Sequence, residues 1–306
     1  MSTEPRILRA DFADGVRWLT GGADLLARDG GLMMRVAAWL VVITLLQAVP
    51  VIGVPLLVLI SPALTAGMLG IFRRLDEGAA GRPDQLFDGF REARVRSRLL
   101  VLGGFLLLGV LGAVMTLGAW LAPQMDLQAL SALMNDPQAM ESDPDRLFAL
   151  FEGVNLFGGL ALGAVVIGLV LGGLYFAVPL VFFWNWPVMA ALLWSLRAVL
   201  VNWRAFLGFA LVVLGLFFAL GFVFLLTAGL LALAFGPAGD FVGQLLSVLV
   251  SLFVQLLMAA AQWRAFRQLF PAGSDGGQPP SGGGSSGTGG DEPVPGSDEG
   301  PGRVEV

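Results

Sequence analysis

Long stretches without charge dominate this chain and restrict what it can fold into. Residues 37–72 contain no charged side chain over 36 positions. As one helix this stretch would be about 54 Å long, whereas the hydrocarbon core of a bilayer is about 30 Å thick. Pro50, Gly53 and Pro55 in "VPVIGVP" predict a turn inside it. We interpret the stretch as a helical hairpin, and a re-entrant loop is the alternative.

Further apolar runs indicate a multi-pass membrane protein. Hydrophobic residues make up 56% of the chain and charged residues only 13%, about half the charged fraction of an ordinary soluble domain. The sequence therefore predicts an all-α integral membrane fold with six transmembrane helices and a polar external loop at 123–156. The predicted spans are about 35–49, 55–73, 99–122, 157–184, 205–235 and 241–263.

The distribution of arginine predicts the orientation of these spans. Arginines are concentrated before the first span and between the second and third, whereas loop 123–156 has only Arg146 and residues 236–240 have none. Positively charged residues stay on the cytoplasmic side of a membrane. Both termini are therefore expected in the cytoplasm of a bacterium, with the protein in its inner membrane.

The apolar segment 187–203 lies between two predicted spans and could either cross the membrane or lie along it. If it crossed, Arg197 would sit near the middle of the bilayer, at a cost of about 2.5 to 3.5 kcal/mol. Crossing would also reverse every later segment and place Arg264 and Arg267 outside. We therefore expect a cytoplasmic surface helix.

Two other segments have one apolar and one charged face and predict surface helices of the same kind. The three surface helices are expected at about 15–28, 83–97 and 187–203, and each precedes two spans. This order predicts three parallel repeats about an axis along the membrane normal. Residues 1–34 would form the N-terminal cytoplasmic segment, 35–270 the membrane domain, and 271–306 a disordered acidic tail rich in Gly, Ser and Pro.

Composition excludes several classes of function. Cysteine and histidine are both absent, which rules out thiol chemistry, Cys/His metal sites and histidine acid–base catalysis. The chain before Pro271 is neutral overall and the tail after it is acidic, which argues against nucleic-acid binding. We expect no catalytic residues, no cofactor and no metal.

The last predicted span carries a narrow stripe of polar side chains. At 100° per residue its members fall within an arc of about 60°. The stripe indicates either a path for a solute or lipid headgroup, or hydrogen bonds between helices, which commonly join membrane helices. The absence of an intramembrane charge favours the second interpretation. The members are Gln244, Ser247, Ser251, Gln255 and Gln262.

The fourth predicted span contains two small-residue pairs, Gly159/Gly163 and Gly168/Gly172. Each matches the GxxxG pattern, which permits close backbone approach between helices. The two pairs point to nearly opposite sides of the helix. We therefore expect this helix to pack against neighbours on both faces.

Two charged clusters are further candidates. The arginines before the third span could contact anionic lipid headgroups or serve only as topological anchors. The acids of the external loop could hold a divalent cation weakly, although a solvated acidic loop is the favoured interpretation. The arginines are Arg91, Arg94, Arg96 and Arg98, and the acids are Asp136, Glu141, Asp143 and Asp145.

Four segments in linear order carry a resemblance to a known family. They read "RWLTGGADLL", "AVPVIGVPLLVLISPALTAGMLGIFRRLDEG", "QLFDGF" and "SLRAVLVNWRAF". Together they resemble an uncharacterised family of bacterial inner-membrane proteins, itself distantly similar to the membrane region of some glycerophosphodiester phosphodiesterases. The resemblance covers about residues 15–270. It implies six helices and inner-membrane residence, and it carries over no catalytic residue.

Two functional hypotheses remain. The first is a non-enzymatic protein of membrane or envelope organisation that interacts with membrane lipid. The alternative is a transporter or permease subunit for a neutral or amphipathic solute, which would use the polar stripe. Membrane lipid is the expected partner, and a membrane-protein partner or a second copy of this chain is left open.

Overall fold

The computed structural model describes residues 7–126, 128, 131 and 153–271, and these form an all-helical membrane fold. Residues 272–306, most of loop 123–156 and the four loop acids named above lie outside the described residues. Three short 3-10 helices cover Leu45–Ala48, Pro83–Phe90 and Ala122–Gln124. The α-helices are α1 Phe12–Arg28, α2 Gly30–Thr44, α3 Gly53–Asp76, α4 Ala93–Leu121, α5 Leu156–Trp184, α6 Val188–Val201, α7 Trp203–Phe235 and α8 Pro237–Leu269.

Six of these helices are long and apolar enough to cross a membrane, as the sequence predicts. They are α3, α4, α5, α7, α8 and the combination of α2 with the 3-10 helix that continues it. The predicted hairpin is present, and its arms are 19 and 24 residues long. Each arm thus has the length of about 20 residues that crossing requires.

The hairpin turn depends on its glycine. A Cβ atom added to Gly53 would lie 2.0 Å from the carbonyl oxygen of Leu46, so only glycine fits this close approach. Val51 at the tip has a φ of 67° and is 91% exposed. A β-branched residue rarely adopts a positive φ, so the turn contains a strained residue.

Helix α6 begins and ends on the same side of the bundle and therefore does not cross. Before α6, Asn185 accepts a hydrogen bond from Arg98 at the start of α4. After α6, Asn202 donates to the carbonyl of Leu8, whose own amide donates to Leu269 at the end of α8. With 14 residues, α6 is about 21 Å long, too short to span the bilayer.

The second surface segment is shorter than predicted. It is a 3-10 helix that ends at Phe90, and Glu92 is extended with φ −90° and ψ 120°. Residues 93–97, which were expected in this helix, form the first turns of the membrane-spanning α4. The cause is Gly89, whose Cβ would lie 2.4 Å from the Ala63 carbonyl oxygen; this contact fixes the segment against α3, so the chain has to turn before α4 begins.

The three surface segments pack in a cyclic order. The segment 83–90 packs on α3, α6 packs on α5, and α1 packs on α8. In each case a surface segment contacts the second span of the unit before it, and α3, α5 and α8 also contact one another. This is the contact order that three parallel repeats about a central axis predict.

The two ends of the bundle differ in charge. At one end lie α1, α6 and the segment 83–90, together with every arginine of the described residues. The described acidic residues at the opposite end are Asp126 and Asp240. We call these the basic end and the acidic end.

The buried core lies at the basic end. The largest fully buried side chains there are Trp18, Phe72, Phe176 and Trp186. In the most apolar part of α7, by contrast, no residue is buried. The bundle is therefore tightly packed at its basic end and open toward its acidic end.

Candidate functional site

Three members of the predicted polar stripe lie together in a groove between α7 and α8. Ser247, Ser251 and Gln255 line the groove from α8 together with Val250 and Val254, and the groove has a volume of about 490 Å³. The facing wall on α7 is apolar and contains Phe217, Leu220 and Phe224. The sequence thus predicts the polar side of this groove, whereas its aromatic side becomes visible only in the fold.

The groove opens sideways from the bundle. Its walls come from two helices, and Phe217 on one wall is 53% exposed. Gly221 on α7 also lines it, and no atom lies within 4 Å of where its Cβ would be. A molecule dissolved in the surrounding bilayer could enter the groove without passing through the protein.

The polar groups of the groove lie deep along α8. Ser251 is near the middle of this 33-residue helix, which is about 50 Å long. Among the described residues, none forms a hydrogen bond with the side chain of Ser251 or Gln255, whereas the Ser247 hydroxyl donates back to Gln244 O at 2.7 Å. Polar groups without a partner in hydrocarbon are costly, so these two side chains favour an occupant with its own polar group.

Gln262 belongs to a different site, although it lies on the same predicted stripe. Pro179 in α5 has no N–H, so the carbonyl of Tyr175, four residues earlier, loses its helical partner. The Gln262 side-chain amide donates to that carbonyl. The interpretation as an interhelical hydrogen bond therefore holds for Gln262, which joins α8 to the proline site of α5. Gln244 is exposed and does not line the groove.

The same region of α5 is bridged from α6. The buried Ser195 hydroxyl donates to Gly172 O at 2.7 Å and accepts from the Phe176 amide at 2.8 Å. These two backbone groups would bond directly to each other in a regular helix. Side chains from α6 and α8 thus replace backbone hydrogen bonds near Pro179.

Most of the predicted headgroup arginines have partners within the protein. Arg91 pairs with Asp84 at 2.8 Å and lies 3.0 Å from Asp88, and Arg96 donates to Phe90 O at 3.4 Å. Arg98 donates to the carbonyls of Asn185 and Trp186 at the end of α5. The Arg94 side chain makes no hydrogen bond or ion pair with another described residue, although its carbonyl accepts from the Ser97 hydroxyl at 2.9 Å. The cluster therefore serves local structure as well as charge.

Burial distinguishes the two carboxylates beside these arginines. The hydrogen bond from Arg82 lowers the pKa of Asp84 to about 2. Burial raises the pKa of Asp88, and the nearby charge of Arg91 opposes this rise only in part, since Asp88 Oδ1 accepts no hydrogen bond.

In each GxxxG pair only one of the two glycines contacts a neighbouring helix. Gly159 packs against Trp120 of α4, and Gly172 packs against Leu196 and Val199 of α6. No atom lies within 4 Å of a Cβ added to Gly163 or Gly168. Helix α5 does pack on two faces, as predicted, but neither pair acts as a two-glycine contact.

A buried carboxylate at the basic end joins three helices and is not apparent from the sequence. The side chain of Asp76 is 3% exposed. Its oxygens lie 3.1 Å from Arg264, 4.0 Å from Arg28 and in contact with Arg267, and Trp263 donates to it at 3.2 Å. The only signal in the sequence is the spacing of Arg264 and Arg267, which places both on one face of α8.

The described residues contain no group of acidic side chains that could hold a metal ion. The resemblance noted above stays a prediction. No protein-family model, curated protein or solved structure matches this chain.

Proposed function

We propose that this chain is a non-enzymatic membrane protein that binds membrane lipid in the groove between α7 and α8. The observation that carries the proposal is a sideways-opening groove of about 490 Å³, mostly apolar, with aromatic side chains on the α7 wall and three polar side chains on the α8 wall. A membrane lipid combines an apolar chain with polar linker and headgroup atoms, so both walls find a complementary part of the same molecule.

The open side of the groove supports lipid over a solute that passes through the bundle. A pathway for a water-soluble molecule needs walls on all sides, because contact with lipid tails would cost the solute its hydration. Here α7 and α8 form both walls, and the remaining side faces the bilayer. Lipid is also the most abundant molecule in that surrounding volume, so occupancy follows from mass action.

The location of the protein is part of the proposal. Arginines gather at the basic end, and such residues stay on the cytoplasmic side. We place this end in the cytoplasm of a bacterium, with the protein in the inner membrane and in a role in membrane or envelope organisation. The resemblance to an inner-membrane family supports the same assignment.

Intact mass spectrometry of the protein extracted in native membrane particles tests the proposal. We expect a retained lipid on the wild type and a clear loss of it in the double variant Ser251→Ala/Gln255→Leu. Gln244→Leu is the matched control, since Gln244 is an exposed residue of the same helix outside the groove. Equal lipid retention by all three proteins would exclude the groove as the binding site.

A second candidate function is movement of an amphipathic solute or a lipid headgroup along the groove. It is favoured by the depth of Ser251 and Gln255, since a lipid held by its chain alone needs no polar group near mid-bilayer. Reconstituted vesicles with a headgroup-labelled lipid would distinguish the two. Translocation that falls in Gln255→Leu but not in Gln244→Leu would establish a transport role, and translocation equal to protein-free vesicles would exclude it.

A further inference from the structure

A polar recess at the basic end lies where α1 crosses α8, away from the groove. It has a volume of about 570 Å³. Its charged and uncharged polar lining residues are Arg17, Thr20 and Asp24 from α1 and Arg264, Arg267 and Gln268 from α8. Close contact between the helices builds it, since the Cβ of Gly22 would lie 2.8 Å from the Ala261 amide.

Only some of the N–H donors of the three guanidinium groups in the recess have acceptors within the protein. Arg17 binds Asp14 at 3.0 Å. Arg264 binds Asp76 at 3.1 Å and donates to the carbonyl of Gly21, and Arg267 binds the same Asp76. A guanidinium has five N–H donors, so each of the three keeps donors for a ligand.

The charge that a ligand meets in the recess is positive. Asp76, which neutralises part of Arg264 and Arg267, is 3% exposed and lies behind them. Asp14 is also mostly covered, at 15% exposure, whereas Arg17 is 74% exposed. Asp24 is the one carboxylate among the lining residues.

A glutamine orders one side of the recess. The Gln268 side-chain oxygen accepts from the indole N–H of Trp18 at 2.7 Å, and its NH₂ group is a hydrogen-bond partner of the Asp14 carboxylate. Gln268 therefore helps to hold Asp14 beside Arg17 and leaves the ligand to the arginines. The three arginines present N–H donors suited to several oxygens of one anion.

We propose that this recess binds the phosphate group of an anionic membrane lipid. Phosphate presents several acceptor oxygens, which matches arginines arriving from two helices. The recess lies at the ends of membrane spans, beside the last turns of α8, where lipid phosphates are present on the surrounding surface. Free phosphate offers the same chemistry without an attached apolar chain. The inference concerns a different site from the groove and stands independently of it.

Native mass spectrometry of the full-length protein with phosphatidylglycerol, added in phosphatidylcholine nanodiscs, tests the site. We expect Arg17→Gln and Arg267→Gln each to lower the affinity for phosphatidylglycerol about fivefold, because each removes charge-assisted hydrogen bonds to the phosphate. Arg94→Gln is the matched control, because it removes one exposed charge from the same end of the protein. Because Arg94 does not line the recess and salt screens exposed charges at a distance, the affinity of this variant should change less than about twofold.

The outcomes distinguish a specific phosphate site in the recess from general attraction between the basic end and anionic lipid. An equal loss in all three variants, or no loss in any, would overturn the proposal. Thermal unfolding checks Arg267→Gln, which also loses a bond to Asp76; if that variant is unfolded, the comparison of Arg17→Gln with Arg94→Gln decides alone. An inorganic phosphate titration distinguishes the two sources. Phosphate that displaces phosphatidylglycerol at low concentration would assign the recess to the free ion.

Discussion

The basic and acidic ends are built from the same helices and yet differ in how those helices meet. On α5, Phe176 near the basic end is fully buried, whereas Leu160 near the acidic end is 62% exposed. Lipid provides no hydrophobic driving force between helices, so their association depends on close packing and polar contacts. Such contacts are concentrated at the basic end, and the comparison shows that the fold is stabilised at one end while the other end leaves surface for lipid.

The contacts at the basic end are of two kinds. Small residues let backbones meet, as at Gly67, whose Cβ would lie 2.0 Å from the Leu86 carbonyl oxygen. Polar side chains supply partners that the backbone lacks, as the Gln262 amide does for the Tyr175 carbonyl after Pro179 removes its helical donor. Because these contacts are local and specific, the difference between the ends can be tested one residue at a time.

The largest difference is expected for buried charge. Asp76→Asn removes the carboxylate shared by Arg28, Arg264 and Arg267 and should lower the free energy of unfolding by about 3 kcal/mol. Asp240→Asn at the acidic end is the control. Asp240 is exposed and forms no ion pair with a described residue, so its change should stay within about 0.5 kcal/mol. Thermal unfolding in one detergent measures both, and equal losses would end the distinction between the two ends.

Substitution of two glycines by alanine should change the free energy of unfolding in opposite directions. Gly67→Ala places a methyl group against the backbone of residue 86 and should destabilise the protein by about 1 to 3 kcal/mol. Gly163→Ala places the same methyl group where no atom lies within 4 Å. It should stabilise α5 by up to about 1 kcal/mol through helix propensity. Unfolding curves of the two variants that shift in the same direction would contradict the assigned packing.

Two glutamines of one helix provide a third comparison. Gln262→Leu leaves the Tyr175 carbonyl without its donor and should cost about 1 to 3 kcal/mol. Gln255→Leu breaks no bond to a described residue and should leave unfolding unchanged while it lowers lipid retention. A Gln262→Leu variant as stable as the wild type would show that another group donates a hydrogen bond to the Tyr175 carbonyl.

Features set by one segment could be predicted from the sequence, whereas features set by two segments could not. Charge-free runs and the cost of burying Arg197 predict the six spans and the surface position of α6. The polar stripe is also a property of a single helix, and three of its members share a groove. Which helix lies opposite a residue is not encoded in its spacing, so the spacing groups Gln262 with Gln255 although Gln262 faces the proline of α5. For the same reason the GxxxG pattern could not show that Gly163 is free and Gly159 is packed.

The smallest effect is expected at the rim of the basic end, in the segment 83–90. Because the hydrogen bond from Arg82 lowers the pKa of Asp84 to about 2, Asp84 stabilises the fold at neutral pH, and this contribution is lost as the pH falls from about 4 toward 2. Burial has the opposite effect on Asp88, whose pKa is raised, so its charged form is penalised at neutral pH and the penalty disappears in acid. Thermal unfolding from pH 6 to pH 2 should therefore give Asp84→Asn a slight loss and Asp88→Asn a slight gain, both converging on the wild type at low pH. Exposure of the Asp84 pair to solvent keeps its effect small. Differences that grow in acid would mean that neither carboxylate has the surroundings described for it.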